Sequence, residues 1–176
     1  HLELTRVIAR RFNERFAAKK PVFPEPQALL SKAPSILGLD GAQKMSKSRN
    51  NAIMLSATED ETAALVKKAK TDVDRNITYD PDNRPEVANL LLLVSLCTGR
   101  DPRDIAAEIG SGGAGQLKKM LTESLNEFLR PLRSRRKQLE RDPGYIRSIL
   151  HQGISQARAI AEETLQEVRS VMHMEV

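Results

Sequence analysis

At 176 residues the chain can bury one or two cores, and 40% hydrophobic against 29% charged residues excludes a disordered or fibrous protein. Aromatics reach only 3% with no Trp, so the core must be built from Leu, Ile, Val and Ala, which suits helices better than a β-sandwich. The net charge of +5 is too small to name a nucleic-acid partner by itself, the lone Cys97 excludes an internal disulfide or a Cys-x-x-Cys metal site, and no apolar run approaches the ~18 residues of a membrane span.

The first element is predicted from Leu4, Val7, Ile8 and Phe12, which fall at i, i+3, i+4 and i+8 with Arg6, Arg10 and Arg11 between them: an amphipathic helix to about Ala18. His1 opens straight into this periodicity with no signal-peptide pattern, so the chain is expected to be a piece of a longer one. Pro21, Pro24 and Pro26 then require an extended connector. Ser35-Ile36-Leu37 is expected to form a short buried strand before the turn signal Gly38-Leu39-Asp40-Gly41, and Ile53-Met54-Leu55 a second extended piece.

Thr58 with Glu61 three residues on is a capping box and opens a helix through Ala63, Leu65, Val66 and Ala69. Residues 71–84 are polar and turn-rich. Pro85 is suited to the first position of the next helix, which is apolar almost throughout from Val87 to Leu96, the signature of a central core helix, and Gly99 stops it. Cys97 at its end reads as a buried thiol. Asp101-Pro102 caps a short helix to Gly110. The stretch from Gly110 to Gly115 satisfies GxGxxG, but a helix precedes it where the dinucleotide fingerprint needs a strand, so a flexible interhelical loop is expected. A long helix from about Gln116 to Arg141 should turn Leu117, Leu121, Leu125, Phe128 and Leu132 inward, with Pro131 kinking or splitting it. Asp142-Pro143 starts another helix, and residues 154–172 should turn Ala157, Ile160, Ala161, Leu165 and Val168 inward, with Gly153 weakening its continuity.

Chemistry concentrates in Lys44-Met45-Ser46-Lys47-Ser48. Two ammonium groups on flexible stems, with hydroxyls and backbone N–H groups between them, can follow a polyphosphate as its charge moves. The plain alternative is a solvated lysine loop. The second charge feature is residues 130–141, where Arg130, Arg133, Arg135, Arg136, Lys137 and Arg141 face one carboxylate, Glu140. Such a face can neutralise phosphates and release counterions, against the alternative of a merely solvated helix face. His1, His151 and His173 have no partner at metal-ligand spacing, and no nucleophile elbow is present.

The run Lys44–Ser48 reads KMSKS and resembles the nucleotide-binding loop of class I aminoacyl-tRNA synthetases. His1-Leu2-Glu3-Leu4-Thr5-Arg6, Ile8-Ala9-Arg10-Arg11-Phe12-Asn13, Gly38-Leu39-Asp40-Gly41, Asn50-Asn51-Ala52-Ile53 and Asn89-Leu90-Leu91 extend the resemblance over nearly the whole chain, to the bacterial tryptophanyl-tRNA synthetases. The resemblance implies a mainly α chain: residues 1–57 as the last piece of a Rossmann-like α/β catalytic domain, and residues 58–176 as a helical bundle of the anticodon-binding type. It implies activation of tryptophan with ATP and charging of tRNA(Trp), in a cytoplasmic homodimer without membrane contact. Lys44 and Lys47 would be catalytic; Met45, Ser46 and Ser48, with Ser35 and Ile36 ahead of them, would complete the ATP site. Mg²⁺ would arrive with ATP, with no protein metal site and no tightly bound cofactor. Arg130, Arg133, Arg136 and Lys137 would hold tRNA. The HIGH-like motif, the tryptophan pocket and the GxDQ segment of the family lie upstream of the position matching His1, so this piece alone is expected to be inactive in activation. Arg49 stands where relatives often carry Tyr or Asp, and Thr78-Tyr79-Asp80 replaces the family's Arg-Tyr-Asp. A tyrosyl-type synthetase and a non-catalytic tRNA-binding helical module are the alternatives.

Overall fold

The computed structural model describes residues 1–174, and these are mainly helical. Six α-helices follow one another: α1 (Leu2–Phe16), α2 (Glu59–Lys68), α3 (Pro85–Thr98), α4 (Pro102–Ile109), α5 (Gly113–Leu139) and α6 (Pro143–Val171), with single 3-10 turns at Lys47–Arg49 and Gly110–Gly112. The chain packs as two compact units, one of His1–Ser31 with Leu139–Val176 and one of Lys32–Gln138.

The strand expected at Ser35–Leu37 is absent: among the described residues the pairing there is an isolated antiparallel bridge between Leu37 and Lys44. The bridge's bonds run from Gly38 N–H to Gln43 O and from Met45 N–H to Ile36 O, while the N–H and carbonyl of Leu37 itself both go to the Asn89 side chain, which takes the side where a further strand would pair. Residues 53–54 carry no regular secondary structure, and Leu55 opens a turn.

In the unit of residues 32–138, α3 is the core helix that its composition predicts. Val87, Leu91 and Val94 are fully buried and Leu90 nearly so, against Val66 of α2, Ile105 and Ile109 of α4, and Leu117 and Leu121 of α5. Each such side chain contributes about 1.5–3 kcal/mol by leaving water. Pro85 occupies the first turn of α3, where its missing N–H costs nothing, and Gly99 ends the helix at φ +74°. Thr58 and Glu61 form the capping box of α2, with Glu61 N–H donating to Thr58 Oγ1 at 3.2 Å and Thr58 N–H to Glu61 Oε2 at 2.8 Å. Asp101 caps α4 by accepting from Arg103 N–H at 2.8 Å.

α5 corrects two expectations, on its start and on its facing, and is not split at Pro131. It begins at Gly113, so the glycine stretch is a 3-10 turn followed by the first helical turn rather than a loop. Gly110 and Gly113 have φ of +49° and +74°, a left-handed lead into the helix that the glycines allow. The helix runs through Pro131 unbroken. The carbonyl that the missing N–H leaves is that of Glu127, an exposed residue, so water can serve it. Phe128 and Leu132 are 56% and 45% exposed rather than inward; Leu129, four residues after Leu125, takes the buried position. The core therefore follows the i, i+4 row through residues 117, 121, 125 and 129.

In the other unit, Asn13 ties α1 to the proline connector: its Nδ2 donates to Phe23 O at 2.7 Å, and its Oδ1 accepts from Val22 and Phe23 N–H. The Phe12, Phe16 and Phe23 rings cluster there, and Arg10 forks onto Glu25. α6 is continuous through Gly153 but buries no residue among those described. Ile160 and Leu165, expected inward, are 68% and 44% exposed, and Ala157 and Ala161 are exposed too; of the expected row Val168 is half-buried. No helix of the described residues is long and apolar enough to cross a membrane.

Candidate functional site

The lysine loop is built on a reversing turn. Gly38 N–H donates to Gln43 O at 2.8 Å and Gly41 N–H to Gly38 O at 3.0 Å, while Asp40 Oδ1 accepts from Ala42 N–H at 3.1 Å. Gly41 sits at φ +67°, and a Cβ on it would come within 2.2 Å of Glu86 Cγ. The returning chain pairs Lys44 with Leu37, and Met45 N–H donates to Ile36 O at 2.9 Å.

Two asparagines fix this loop, Asn51 to the turn before it and Asn89 to α3. Asn51 is buried; its Oδ1 accepts from Ser46 N–H at 2.9 Å, its Nδ2 donates to Asp40 Oδ2 at 2.9 Å, and its carbonyl accepts from Leu39 N–H at 2.8 Å. A Cβ on Gly38 would fall 2.1 Å from Asn51 Nδ2, so Gly38 makes room for that side chain. Asn89, the one polar side chain buried on α3, accepts from Leu37 N–H and donates to Leu37 O, both at 3.0 Å. The hydrogen bonds from Asn51 and from Ala42 N–H hold the Asp40 carboxyl below its usual range, so it stays an acceptor.

On this frame Lys44, Lys47 and Ser48 are exposed, Met45 and Ser46 half-buried. The Ser46 and Ser48 hydroxyl oxygens lie 2.9 Å apart. Lys47–Arg49 form the 3-10 turn, closed by Asn50 in the left-handed conformation at φ +53°. Neither lysine is in an ion pair among the described residues. Ser35 is exposed and Ile36 half-buried; the Ile36–Met45 bond brings this segment alongside the loop. A cavity of 370 Å³ opens beside the loop, lined by residues 45–47 and 52–56 and, from α5, by Arg136.

The basic run of α5 separates into different environments. Arg130 is exposed and pairs with Glu127 at 2.7 Å. Arg133 is directed into the protein: Nη2 donates to Thr62 Oγ1 and Nη1 to Asn126 Oδ1, both at 2.8 Å. Arg135 donates to Gln138 Oε1 at 3.3 Å, and Lys137 is exposed. Arg136 and Lys137 are exposed whereas Arg133 is half-buried and committed to Thr62 and Asn126, so the three are not equally presented to solvent.

Sequence reasoning gave no role to Asn51, Asn89, Asp40 or Arg84. Arg84 organises residues 71–84: Nε and Nη2 fork onto Asp72 at 2.7 Å each, and Nη1 reaches Asn76 O at 2.6 Å and Thr78 Oγ1 at 2.8 Å. Thr78 thus serves as an acceptor. A polar Asn inside the apolar run of residues 87–96 was the signal that could have found Asn89.

A rigidly seated loop that offers two uncommitted ammonium groups and two hydroxyls defines a site for an anionic ligand on a helical platform. The family model for class I tRNA synthetases of the tryptophan and tyrosine group matches residues 1–130, and the chain belongs to that family. It is 38% identical to the tryptophan–tRNA ligase of Nostoc sp., over 98% of this chain and 53% of that protein, and 38% identical to that of Aquifex aeolicus, over 99% of this chain and 44% of that protein. Among solved structures, tryptophanyl-tRNA synthetase from Mycoplasma pneumoniae matches with a TM-score of 0.83 and 26% identity, covering 99% of this chain and 55% of that one. The Campylobacter jejuni enzyme complexed with ADP and tryptophan matches at 0.67 and 25% identity, covering 98% and 53%. The chain spans about half the length of the curated relatives it matches.

Proposed function

We propose that this chain forms part of a tryptophan–tRNA ligase, the part that grips the ATP polyphosphate and holds tRNA. The observation that carries the reading is the pair Lys44 and Lys47, exposed on a loop whose backbone is fixed by Asn51 and Asn89. In the reaction the tryptophan carboxylate oxygen attacks the α-phosphorus of ATP. The bond to the bridging oxygen breaks, pyrophosphate leaves, and tryptophanyl-adenylate remains. A ribose hydroxyl at the tRNA 3′ end then takes the aminoacyl group and AMP leaves. Lys44 and Lys47 counter the charge that grows on the departing pyrophosphate, which is where preorganised cations lower a barrier most. Ser46, Ser48 and Met45 shape the loop, and Ser35-Ile36 offers backbone groups to adenine. Mg²⁺ belongs to the nucleotide and shares the charge of its oxygens; no cluster of three His, Cys, Asp or Glu side chains suited to a metal ion occurs among the described residues.

Residues 1–57 are then the end of a Rossmann-like catalytic domain and residues 58–176 a helical anticodon-binding domain, in a cytoplasmic homodimer. Arg130 and Lys137, both exposed and neither lining the loop cavity, are the residues of the predicted RNA set that remain for RNA phosphates. Arg133 acts instead by holding α5 to α2 through Thr62. The test supplies the full-length protein with ATP, total bacterial tRNA and either tryptophan or tyrosine. Tryptophan attached to tRNA supports the reading. Tyrosine attached in its place marks a tyrosyl-type enzyme, and RNA binding without charging marks a non-catalytic module.

A further inference from the structure

Arg136 is the side chain of the basic run that lines the lysine-loop cavity, beside Ser46 and Lys47. Its neighbour explains its placement. Arg133, one turn earlier, is locked at 2.8 Å to Thr62 on α2 and at 2.8 Å to Asn126 on α5, so the last turns of α5 are held against α2. α2 follows closely on the 3-10 turn of the loop and starts at its capping box. The turn carrying Arg136 is thereby held beside the loop, with Arg136 on the cavity wall.

The cavity has mixed chemistry. Ser46, Lys47, Ser56 and Arg136 bring hydroxyls and two cations, while Ile53 and Met54 supply an apolar wall. A lysine is a mobile point charge, whereas a guanidinium presents parallel N–H groups that match two oxygens of one phosphate. We infer that Arg136 is a third cationic contact for the triphosphate that the lysine loop holds, so that α5 completes the phosphate site. This rests on the nucleotide-binding reading of the loop. It separates Arg136 from Arg130 and Lys137, and it makes α5 a direct mechanical link between bound RNA and the loop.

The experiment measures binding of inorganic tripolyphosphate and of ATP to the full-length protein by calorimetry, for wild type, Arg136→Ala, Arg136→Lys and Arg130→Ala, with tRNA binding measured in parallel. If the inference holds, Arg136→Ala weakens both anions about tenfold, the loss expected for a charge-assisted hydrogen bond. Arg136→Lys recovers part of that loss, Arg130→Ala leaves both anions unchanged, and Arg136→Ala binds tRNA as wild type does. Unchanged anion affinity in Arg136→Ala, with normal binding by wild type, overturns the inference and spares the loop reading. Weakened tRNA binding with unchanged anion affinity returns Arg136 to the RNA-facing run. Wild-type protein that binds neither anion overturns the loop reading and the inference together. Circular dichroism of each variant identifies any that fails to fold, and Arg136→Gln, which keeps a polar side chain and loses the charge, then replaces Arg136→Ala.

Discussion

Asn89 shows how a single buried side chain can carry a site it never touches. It replaces the neighbouring strand that Leu37 lacks, serving both its N–H and its carbonyl from inside the apolar face of α3. Removing it strands two backbone groups, each costing the desolvation of an unmade bond. Asn89→Ala should therefore lower stability by about 1–3 kcal/mol and speed amide hydrogen exchange at Leu37 and at Met45 on the paired segment; unchanged exchange there would show that the loop is seated by other means. Asp72 gives a second expectation at this scale. The Arg84 fork holds its carboxyl below the usual range. A carboxyl lowered on folding binds its proton later in the folded than in the unfolded state. Its contribution is thus fully present above the ordinary value of about 3.9 and is lost as pH falls through the lower folded value. Denaturant titrations should show wild type losing more stability than Asp72→Asn in that acid window, while Arg84 stays charged throughout. Equal losses would leave the fork without a role in acid stability.

At the scale of elements, α3 and the α2 capping box were legible because each rests on short-range chemistry: Pro at N1, Gly at the C-terminus, Thr and Glu three apart. α5 was legible as a helix but not in its facing. The apolar residues 128, 129 and 132 offer two rows, and only packing against the core chooses Leu129. The supposed strand at residues 35–37 failed because three residues carry no period, and a distant Asn settles their fate. The basic run was legible as charge, yet its division into an RNA-suited pair, an inward Arg133 and a cavity-lining Arg136 depends on where Thr62 and the loop lie. Arg130→Ala with Lys137→Ala in the full-length protein should lower the salt slope of tRNA binding by about 0.7–0.9 for each phosphate left without its cation, for cognate and non-cognate tRNA alike, between about 50 and 200 mM salt. A double variant that keeps both affinity and slope would make this face merely solvated.

On the scale of the whole molecule, the lysine loop was legible as a five-residue motif, whereas its frame of Asp40, Asn51 and Asn89 was not, because those partners lie up to 52 residues apart. On the proposed reading the loop supplies charge stabilisation and leaves the carboxylate to be positioned by other groups, and positioning contributes several kcal/mol of barrier lowering. Residues 1–176 expressed alone should therefore bind polyphosphate without exchanging pyrophosphate into ATP when tryptophan is added; exchange by this piece would show that the loop and helices suffice. The most direct measurement of the central claim is steady-state, tryptophan-dependent pyrophosphate exchange by the full-length protein and its Lys47→Ala variant. The account predicts that kcat falls by about 10²–10³, or ~3–4 kcal/mol, with a much smaller rise in KM for ATP, because the ammonium is needed most as charge develops on the leaving group. A variant with normal kcat and only weakened ATP binding would contradict it.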